Sequence, residues 1–300
     1  MKGEPEPSAH WRAPRIVWFL LVTASALTEF SPVVRAQGGP PFRSDDPDTP
    51  GNRNWEINAG FVGDRNPSGG SYETPNLDLN YGVRHRIQLK FELPLSIQEV
   101  RGDSGHVVGG LGNSLVGVKW RFYAHHSKEE KRNPPGERES NFGLSVYPQL
   151  MLNNPTRSVS RGVVEAGPQF LLPLEANAKI GPMRISGEIG YWFANNHDPN
   201  SWLRGIVIGH EFKNKAEVGV ELYDQYEVRT TAAGPRTRES TVGVGGRAPI
   251  AGHESARFIG MAGRAFVFIT PTNGQPSWVA YAGIQVLVGS KRHSSDYMGE

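Results

Sequence analysis

The feature that most constrains the fold of this chain is a two-residue alternation of apolar and polar side chains. In residues 87–95 the side chains Ile87, Leu89 and Phe91 alternate with Lys90 and Glu92. This period places the apolar residues on one face of a β-strand and the charged residues on the other. A soluble sheet would turn the apolar face to a protein core, whereas a membrane barrel would turn it to lipid and the charges to a lumen.

Twelve segments with strand character follow one another, and most are about ten to fourteen residues long. They are predicted at 54–64, 72–83, 87–99, 111–124, 141–152, 164–177, 184–194, 202–212, 216–227, 239–249, 256–268 and 278–289. Strands of soluble sheets are usually about five or six residues long, whereas a tilted membrane-spanning strand needs about nine to eleven. The segment lengths therefore favour an all-β fold, an antiparallel transmembrane β-barrel of about 12 strands.

The predicted connections alternate in length in the same sense. Those after odd-numbered strands, such as 100–110 and 153–163, are longer than those after even-numbered strands, such as 84–86 and 213–215. Outer-membrane barrels combine short periplasmic turns with longer external loops. The charged connection 125–140 is an exception, either as a solvated insertion or as a sign of a miscounted strand. A secreted soluble β-sandwich stays open as the alternative fold.

The N-terminal region has the character of an export signal. Positive charge at Arg12 and Arg15 precedes an apolar stretch at 16–30, and Val34-Arg35-Ala36 fits the small-x-small cleavage rule. We expect a signal peptide at 1–36, with an uncleaved anchor as the alternative. The remaining predicted regions are an extended periplasmic N-terminal segment at 37–53, the β-barrel at 54–289 and a C-terminal tail at 290–300.

Composition excludes several classes of function. The chain has no cysteine, which excludes disulfides, thiolate metal sites and a cysteine nucleophile. Its net charge of +2 without a basic cluster argues against nucleic acid as a partner. We find no convincing pair of nucleophile and base on one strand face, since His210 and Glu211 point to opposite faces. The chain is therefore predicted to have no catalytic residues, no cofactor and no enzymatic activity.

The candidate site residues are the charges on the polar strand faces. They are predicted to line the lumen and either set solute selectivity or pair with one another, and they are Lys90, Glu92, Lys119, Arg121, Glu188 and Arg247. Asp45, Asp46 and Asp48 are weak candidates for a hard cation, or else part of a leader that plugs the barrel. His125 and His126 are weaker metal candidates. Arg204, His210 and Arg264 share faces with apolar residues, which predicts either a membrane-interface position or a slip in register.

Several stretches resemble a known family. The strings "GPPFRSDDPDTPGNRNWEIN", "ETPNLDLNYGVRHRIQLKFELPL", "GLGNSLVGVKWRFY" and "GLSVYPQLMLNNPT", followed by "GPQFLLPLE" and "SGEIGYWF", are similar to an outer-membrane family described by the MetA pathway of phenol degradation. The similarity covers about residues 38 to 225. It implies an outer-membrane β-barrel that passes small solutes, with aromatic or other hydrophobic compounds as one class.

The expected function is passive passage of a small solute across the outer membrane, with membrane lipid and the solute as partners. A plugged structural or binding barrel without transport is the first alternative. A secreted soluble β-sandwich that binds a ligand is the second.

Overall fold

The computed structural model describes residues 39–102, 105–125, 140–194, 199–228, 236–250, 253–270 and 276–289. These contain fourteen β-strands: β1 (Trp55–Asn66), β2 (Gly69–Val83), β3 (Ile87–Val100), β4 (His106–Leu111), β5 (Ser114–His125), β6 (Phe142–Val146), β7 (Gln149–Leu152), β8 (Gln169–Ile180), β9 (Met183–Phe193), β10 (Asn200–Glu211), β11 (Glu217–Val228), β12 (Arg236–Ile250), β13 (His253–Thr270) and β14 (Ser277–Val288). No helix within these ranges is long and apolar enough to cross a membrane. The predicted signal peptide and C-terminal tail lie outside the described residues.

The strands form one closed antiparallel barrel. Strand β1 pairs with β14, and pairing continues from neighbour to neighbour until β5 pairs with β3. Strands β4 and β5 both pair with β3, and β6 and β7 both lie between β5 and β8, so each pair occupies one position in the ring. The described strands therefore fill twelve positions, which confirms the predicted twelve-stranded barrel.

Prolines account for the two interrupted strands. The carbonyl of Pro94 in β3 accepts from the N–H of Gly112, which lies between β4 and β5. Pro148 separates β6 from β7, and Pro173 of β8 faces Tyr147 there, where it accepts from the Tyr147 N–H. Proline has no N–H to give to a ladder, so it interrupts the regular bonding without breaking the ring.

The apolar strand faces point outward. Leu89, Phe91 and Leu95 are exposed, whereas Lys90 and Glu92 between them are buried. The same alternation runs around the barrel and produces an outer belt that includes Trp55, Phe61, Val116, Val118, Trp120, Leu172, Leu174, Ile185, Ile189, Ile206, Ile208, Val218, Val220, Leu222, Val244 and Ile284. Such a belt with a polar interior is typical of barrels that sit in an outer membrane.

The two ends of the barrel differ in their connections. At the turn end, the connections are 84–86, 181–182, 212–216 and 251–252, together with the charged 126–141. At the loop end, they are 101–105, 153–168, 194–199, 229–235 and 271–276. The first connection, 67–68, belongs to the loop end although it has only two residues. Most of the charged connection lies outside the described residues.

Some predicted boundaries were wrong. The sixth predicted strand began at residue 164, but β8 begins at Gln169. Val164 opened the predicted strand, yet the segment before β8 is an irregular loop in which the neighbouring Val163 is buried close to Gly110 of β4. An apolar residue at this point of the sequence is therefore buried by a loop that packs on the barrel, not by a strand.

Candidate functional site

The interior of the barrel is occupied by residues 39–50, here called the lumen segment. Arg43, Ser44, Asp45, Asp48 and Thr49 are all buried, although they belong to no strand. The segment contains four prolines and is held in shape by side chains that cap its own backbone: the Asp46 N–H donates to Asp45 Oδ1 at 2.7 Å and the Asp48 N–H to Asp46 Oδ1 at 2.8 Å. Such local turns provide hydrogen bonds for a proline-rich segment that does not pair with the strands of the barrel.

Asp48 anchors the segment near the turn end. Its carboxylate accepts from Arg121 Nη1 at 3.0 Å and from Arg184 Nη2, and it also accepts from the Ser140 N–H and from Asn177 Nδ2. The Asp48 side chain is only 4% exposed. A buried carboxylate shared by two arginines is a strong, charge-assisted contact.

Asp45 engages the wall near mid-barrel. Its carboxylate lies 3.0 Å from Lys119 Nζ, and Lys119 also contacts Glu175 at 3.3 Å and donates to the carbonyl of Asp46. The backbone N–H of Asp45 donates to Glu188 Oε2 at 3.3 Å. Lys119 therefore links the segment to an acidic part of the wall.

Arg43 reaches furthest toward the loop end. Its Nη1 donates to Glu239 Oε1 and to Thr241 Oγ1, and its guanidinium lies 4.4 Å from the centre of the Tyr223 ring. The adjacent Ser44 N–H donates to Glu221 Oε1 at 2.7 Å. Burial lowers the pKa of Arg43, but Glu239, Tyr223 and Glu221 together outweigh this effect, and the pKa is raised above its usual value.

Two glycines of the wall make room for the segment. A Cβ on Gly205 of β10 would lie 1.8 Å from Ser44 Oγ, and a Cβ on Gly82 of β2 would lie 1.8 Å from the carbonyl oxygen of Gly51. Real atoms cannot approach so closely. Glycine at these positions therefore allows the Ser44 side chain, and the backbone of Gly51 directly after the segment, to lie against the barrel wall.

The inner face also carries two apolar clusters. Val62, Ile259, Met261, Ala265, Val279 and Tyr281 form one, against which Phe42 of the lumen segment packs. Leu115, Leu171, Trp192, Leu203 and Tyr223 form the other, and four of these lie on the loop-end halves of β8 to β11. The interior is therefore polar where Asp45 and Asp48 are held and apolar along other strands.

The structure places the predicted site residues as follows. Lys90, Glu92, Lys119, Arg121 and Glu188 are buried on the inner face, and Arg247 is mostly buried and binds Glu217 at 2.9 Å. Lys119, Arg121 and Glu188 contact the lumen segment. Lys90 instead lies 3.3 Å from both Asp78 and Glu92, within the wall itself.

Sequence reasoning missed several residues that hold the segment. Arg184 shares its strand phase with Glu188, and Glu175 shares its phase with Gln169, so the alternation already placed both on the inner face. Glu221 is buried on the same inner face but was not among the predicted site residues. Arg43 and Glu239 gave no local signal, because their contact joins residues 196 positions apart.

The weak metal candidates have other contacts. Asp45, Asp46 and Asp48 lie against Lys119, Arg121 and Arg184. Burial raises the pKa of Asp46, but Arg184 and Lys119 overcome this and lower it to about 2. His125 ends β5, and His126 lies outside the described residues. Among the residues that the structure describes, no group of three or more His, Cys, Asp or Glu side chains could hold a metal ion.

These features define a closed β-barrel of the outer-membrane type whose lumen contains part of its own N-terminal region. No family model matches the chain, and no curated protein matches it. Among solved structures, an outer membrane channel from Pseudomonas putida F1 is similar with a TM-score of 0.58 and 12% identity, over 81% of this chain and 97% of that one. This likeness shows a shared barrel fold.

Two further solved structures are more distant. A monoaromatic hydrocarbon channel, CymD, has a TM-score of 0.41 and 6% identity over 81% of this chain and 90% of that one. An anion-selective porin from Comamonas acidovorans has a TM-score of 0.35 and 9% identity over 78% and 98%. At these TM-scores the likeness supports no argument about this chain.

Proposed function

We propose that this protein is a passive outer-membrane channel for small solutes, closed by the lumen segment. The observation that carries the proposal is that a stretch of chain outside the strands occupies the lumen and is held there by ion pairs and hydrogen bonds rather than by strand pairing. A lumen closed only by side chains of the strands would have no segment that could leave it and so open a path for solutes. Here the contacts of Asp48, Asp45 and Arg43 could exchange for water and leave the twelve-stranded ring intact.

The apolar clusters support a solute with hydrophobic or aromatic character. Phe42 packs against Val62, Met261, Val279 and Tyr281 on the inner face, and a cavity of about 30 Å³ remains beside it. A ligand site usually combines an apolar lining with a few polar groups. If the lumen segment withdrew, this apolar lining would become accessible to a solute of similar chemistry. The resemblance to the family named after phenol degradation agrees with this class.

Conductance in planar bilayers tests the channel proposal. We expect deletion of residues 39–50 to give stable conductance where the full-length barrel is mostly closed. A second variant of unchanged length, with Arg43 changed to Gln and Asp45 and Asp48 to Asn, separates loss of polar docking from loss of bulk. A heat-modifiability gel checks that both variants still form the closed barrel. Absence of conductance from the correctly folded deletion variant would refute the channel.

A plugged barrel without transport is the second candidate. It is favoured by the burial of Asp48 between Arg121 and Arg184, because removing one partner of a buried ion pair costs roughly 3–5 kcal/mol. Under this reading the lumen segment is a permanent core. The same deletion experiment distinguishes the two candidates, since a permanent core would be needed for the barrel to fold at all.

We propose the outer membrane as the location, after removal of the predicted signal peptide at 1–36. The outward belt of apolar side chains supports this, since it would be unstable in water. Cell lysis without detergent followed by fractionation provides the test. We expect the mature protein in the membrane fraction, and recovery in the aqueous phase would refute the location.

A further inference from the structure

The lipid-facing side of the barrel carries a group of charged residues near the loop end. Arg204 on β10, Asp224 on β11 and Arg238 on β12 share the outward phase of Ile206, Leu222 and Val242. The register is regular here, with Arg204 opposite Asp224 and Asp224 opposite Ser240. The slip that the sequence left open for Arg204 is thus absent, and its side chain faces outward.

The position of these charges along the strands indicates the membrane interface. Arg204 lies four residues after the start of β10, and Arg238 two residues after the start of β12, both on the loop-end half of the strand. An arginine on the lipid face costs about 2–4 kcal/mol at the bilayer midplane but about 0–1 near the interface. Both arginines therefore lie toward the loop-end interface, where this cost is lower than at the midplane.

The geometry leaves an excess of positive charge. Asp224 accepts from Arg204 Nε at 3.0 Å, from Arg238 Nε at 2.7 Å and from Ser240 Oγ at 2.6 Å. One carboxylate is therefore shared by two guanidinium groups, each with five N–H donors. The arginine side chains remain 58% and 51% exposed, whereas that of Asp224 is 12% exposed. Both arginines can still present donors to a molecule beside the barrel.

A groove with an apolar floor lies between the two arginines. Its volume is about 380 Å³, and its lining includes Ile206, Leu222 and Val242 below the charged side chains. These three residues belong to the outer apolar belt. The groove is therefore cationic toward the loop end and continuous with the lipid-facing surface in the other direction. On the next strand, Arg264 lies 4.5 Å from the ring centre of Trp278 and adds a further cation to this side.

We infer that this groove binds a lipid of the outer leaflet whose phosphate gives it a net negative charge. The phosphate would contact the N–H donors of Arg204 and Arg238 that point away from Asp224, and an acyl chain would lie along Ile206, Leu222 and Val242. Guanidinium groups match phosphate oxygens in charge and geometry. A soluble anion would make no contact with the apolar floor. An uncharged lipid would not balance the second of the two positive charges that share Asp224. The site does not depend on conduction through the lumen.

Lipid binding to the purified full-length barrel in detergent tests the inference, with lipid A as the anionic probe and phosphatidylcholine as the probe without net charge. Native mass spectrometry across a lipid titration gives the affinity. We expect the double variant Arg204→Gln/Arg238→Gln to bind lipid A at least tenfold more weakly, because two charge-assisted contacts are lost. The matched control is Arg101→Gln, which removes an exposed arginine paired with Glu99 elsewhere on the barrel.

The expected pattern is selective: the control retains wild-type affinity for lipid A, and phosphatidylcholine binds weakly to every variant. Unchanged lipid A binding in the double variant would overturn the inference, as would an equal loss in the Arg101 control. If the double variant does not give the heat-modifiable form, the single variants Arg204→Gln and Arg238→Gln replace it. Each should then weaken binding severalfold, and no change in either would overturn the inference.

Discussion

Removing the charge of Asp48 should release the lumen segment from the barrel wall. In the variant Asp48→Asn the side chain keeps its shape, but Arg121 and Arg184 remain buried without their shared carboxylate. Breaking a buried pair costs roughly 3–5 kcal/mol. Arg184 keeps Asp46 at 3.3 Å, so the lower end of that range applies. About 3 kcal/mol corresponds to roughly a hundredfold shift toward the undocked state, at 1.4 kcal/mol per factor of ten.

Thiol labelling measures this shift independently of conduction. The chain has no cysteine, so Ser44→Cys introduces a single thiol at a nearly fully buried position of the lumen segment. Its labelling rate should rise about a hundredfold in the Asp48→Asn background, and the open probability in planar bilayers should rise with it. A heat-modifiability gel confirms that the barrel itself is intact.

Asp64→Asn is the matched control for this experiment. Asp64 is also a buried carboxylate on the inner face, but it accepts from Ser277 Oγ at 2.9 Å in the wall. The same chemical change at Asp64 should alter labelling of the lumen segment far less, because Asp64 interacts with the segment only through a weak electrostatic attraction to Arg43. Equal labelling rates in wild type and Asp48→Asn, with a folded barrel, would refute the idea that Asp48 holds the segment in place.

Three further predictions concern the lumen. Gly205→Ala should raise the open probability, since the added Cβ would overlap Ser44 Oγ. Gly109→Ala is the control, because the nearest atoms to its Cβ would lie 3.6 Å away, and it should leave the open probability unchanged. Equal open probabilities in the two variants would contradict the close approach of Ser44 to Gly205. Lys90→Glu should shift the ion preference of the open barrel toward cations, measured as a reversal potential, and an unshifted potential would show that this residue does not line the conducting path. Ionised Asp46 should stabilise the docked lumen segment, because the pKa of Asp46 in the docked state lies below its usual value of 3.8. This stabilisation should be complete above about pH 4 and should be lost as the pH falls toward 2. The difference in conductance between wild type and Asp46→Asn should therefore disappear across that interval.

The barrel could be predicted from sequence because its signal is local and repeated. Alternation within 87–95 separates Leu89 and Phe91 from Lys90 and Glu92 without knowledge of any partner strand. Strand ends were less predictable where apolar side chains occur in loops, as at Val163. The apolar clusters on the inner face were missed for a related reason. Met261 and Tyr281 are apolar residues on strands whose outer faces are apolar as well, so alternation gave no contrast there.

The contacts of the lumen segment could not be predicted, because they join residues far apart in the chain. Asp48 meets Arg121 and Arg184 across 73 and 136 positions. Local sequence showed only a turn-forming, acidic stretch rich in proline, equally compatible with a cation site or a solvated leader. The charges on the inner wall of the barrel select the docked arrangement. These charges come together only when the strands have closed into the barrel.

That charge pattern also argues for docking in one register. Along the lumen segment the order is one cation, Arg43, followed by three carboxylates, and the wall has the opposite order from loop end to turn end. Glu239 and Glu221 surround the Arg43 end, whereas Arg121 and Arg184 surround Asp48. Sliding the segment toward the loop end would carry its carboxylates past Glu188 and Glu221, where like charges repel at low dielectric. Sliding it toward the turn end would instead carry Arg43 past Lys119, Arg121 and Arg184, where like charges repel as well. The charge pattern of the wall therefore opposes displacement in either direction and specifies one docked register.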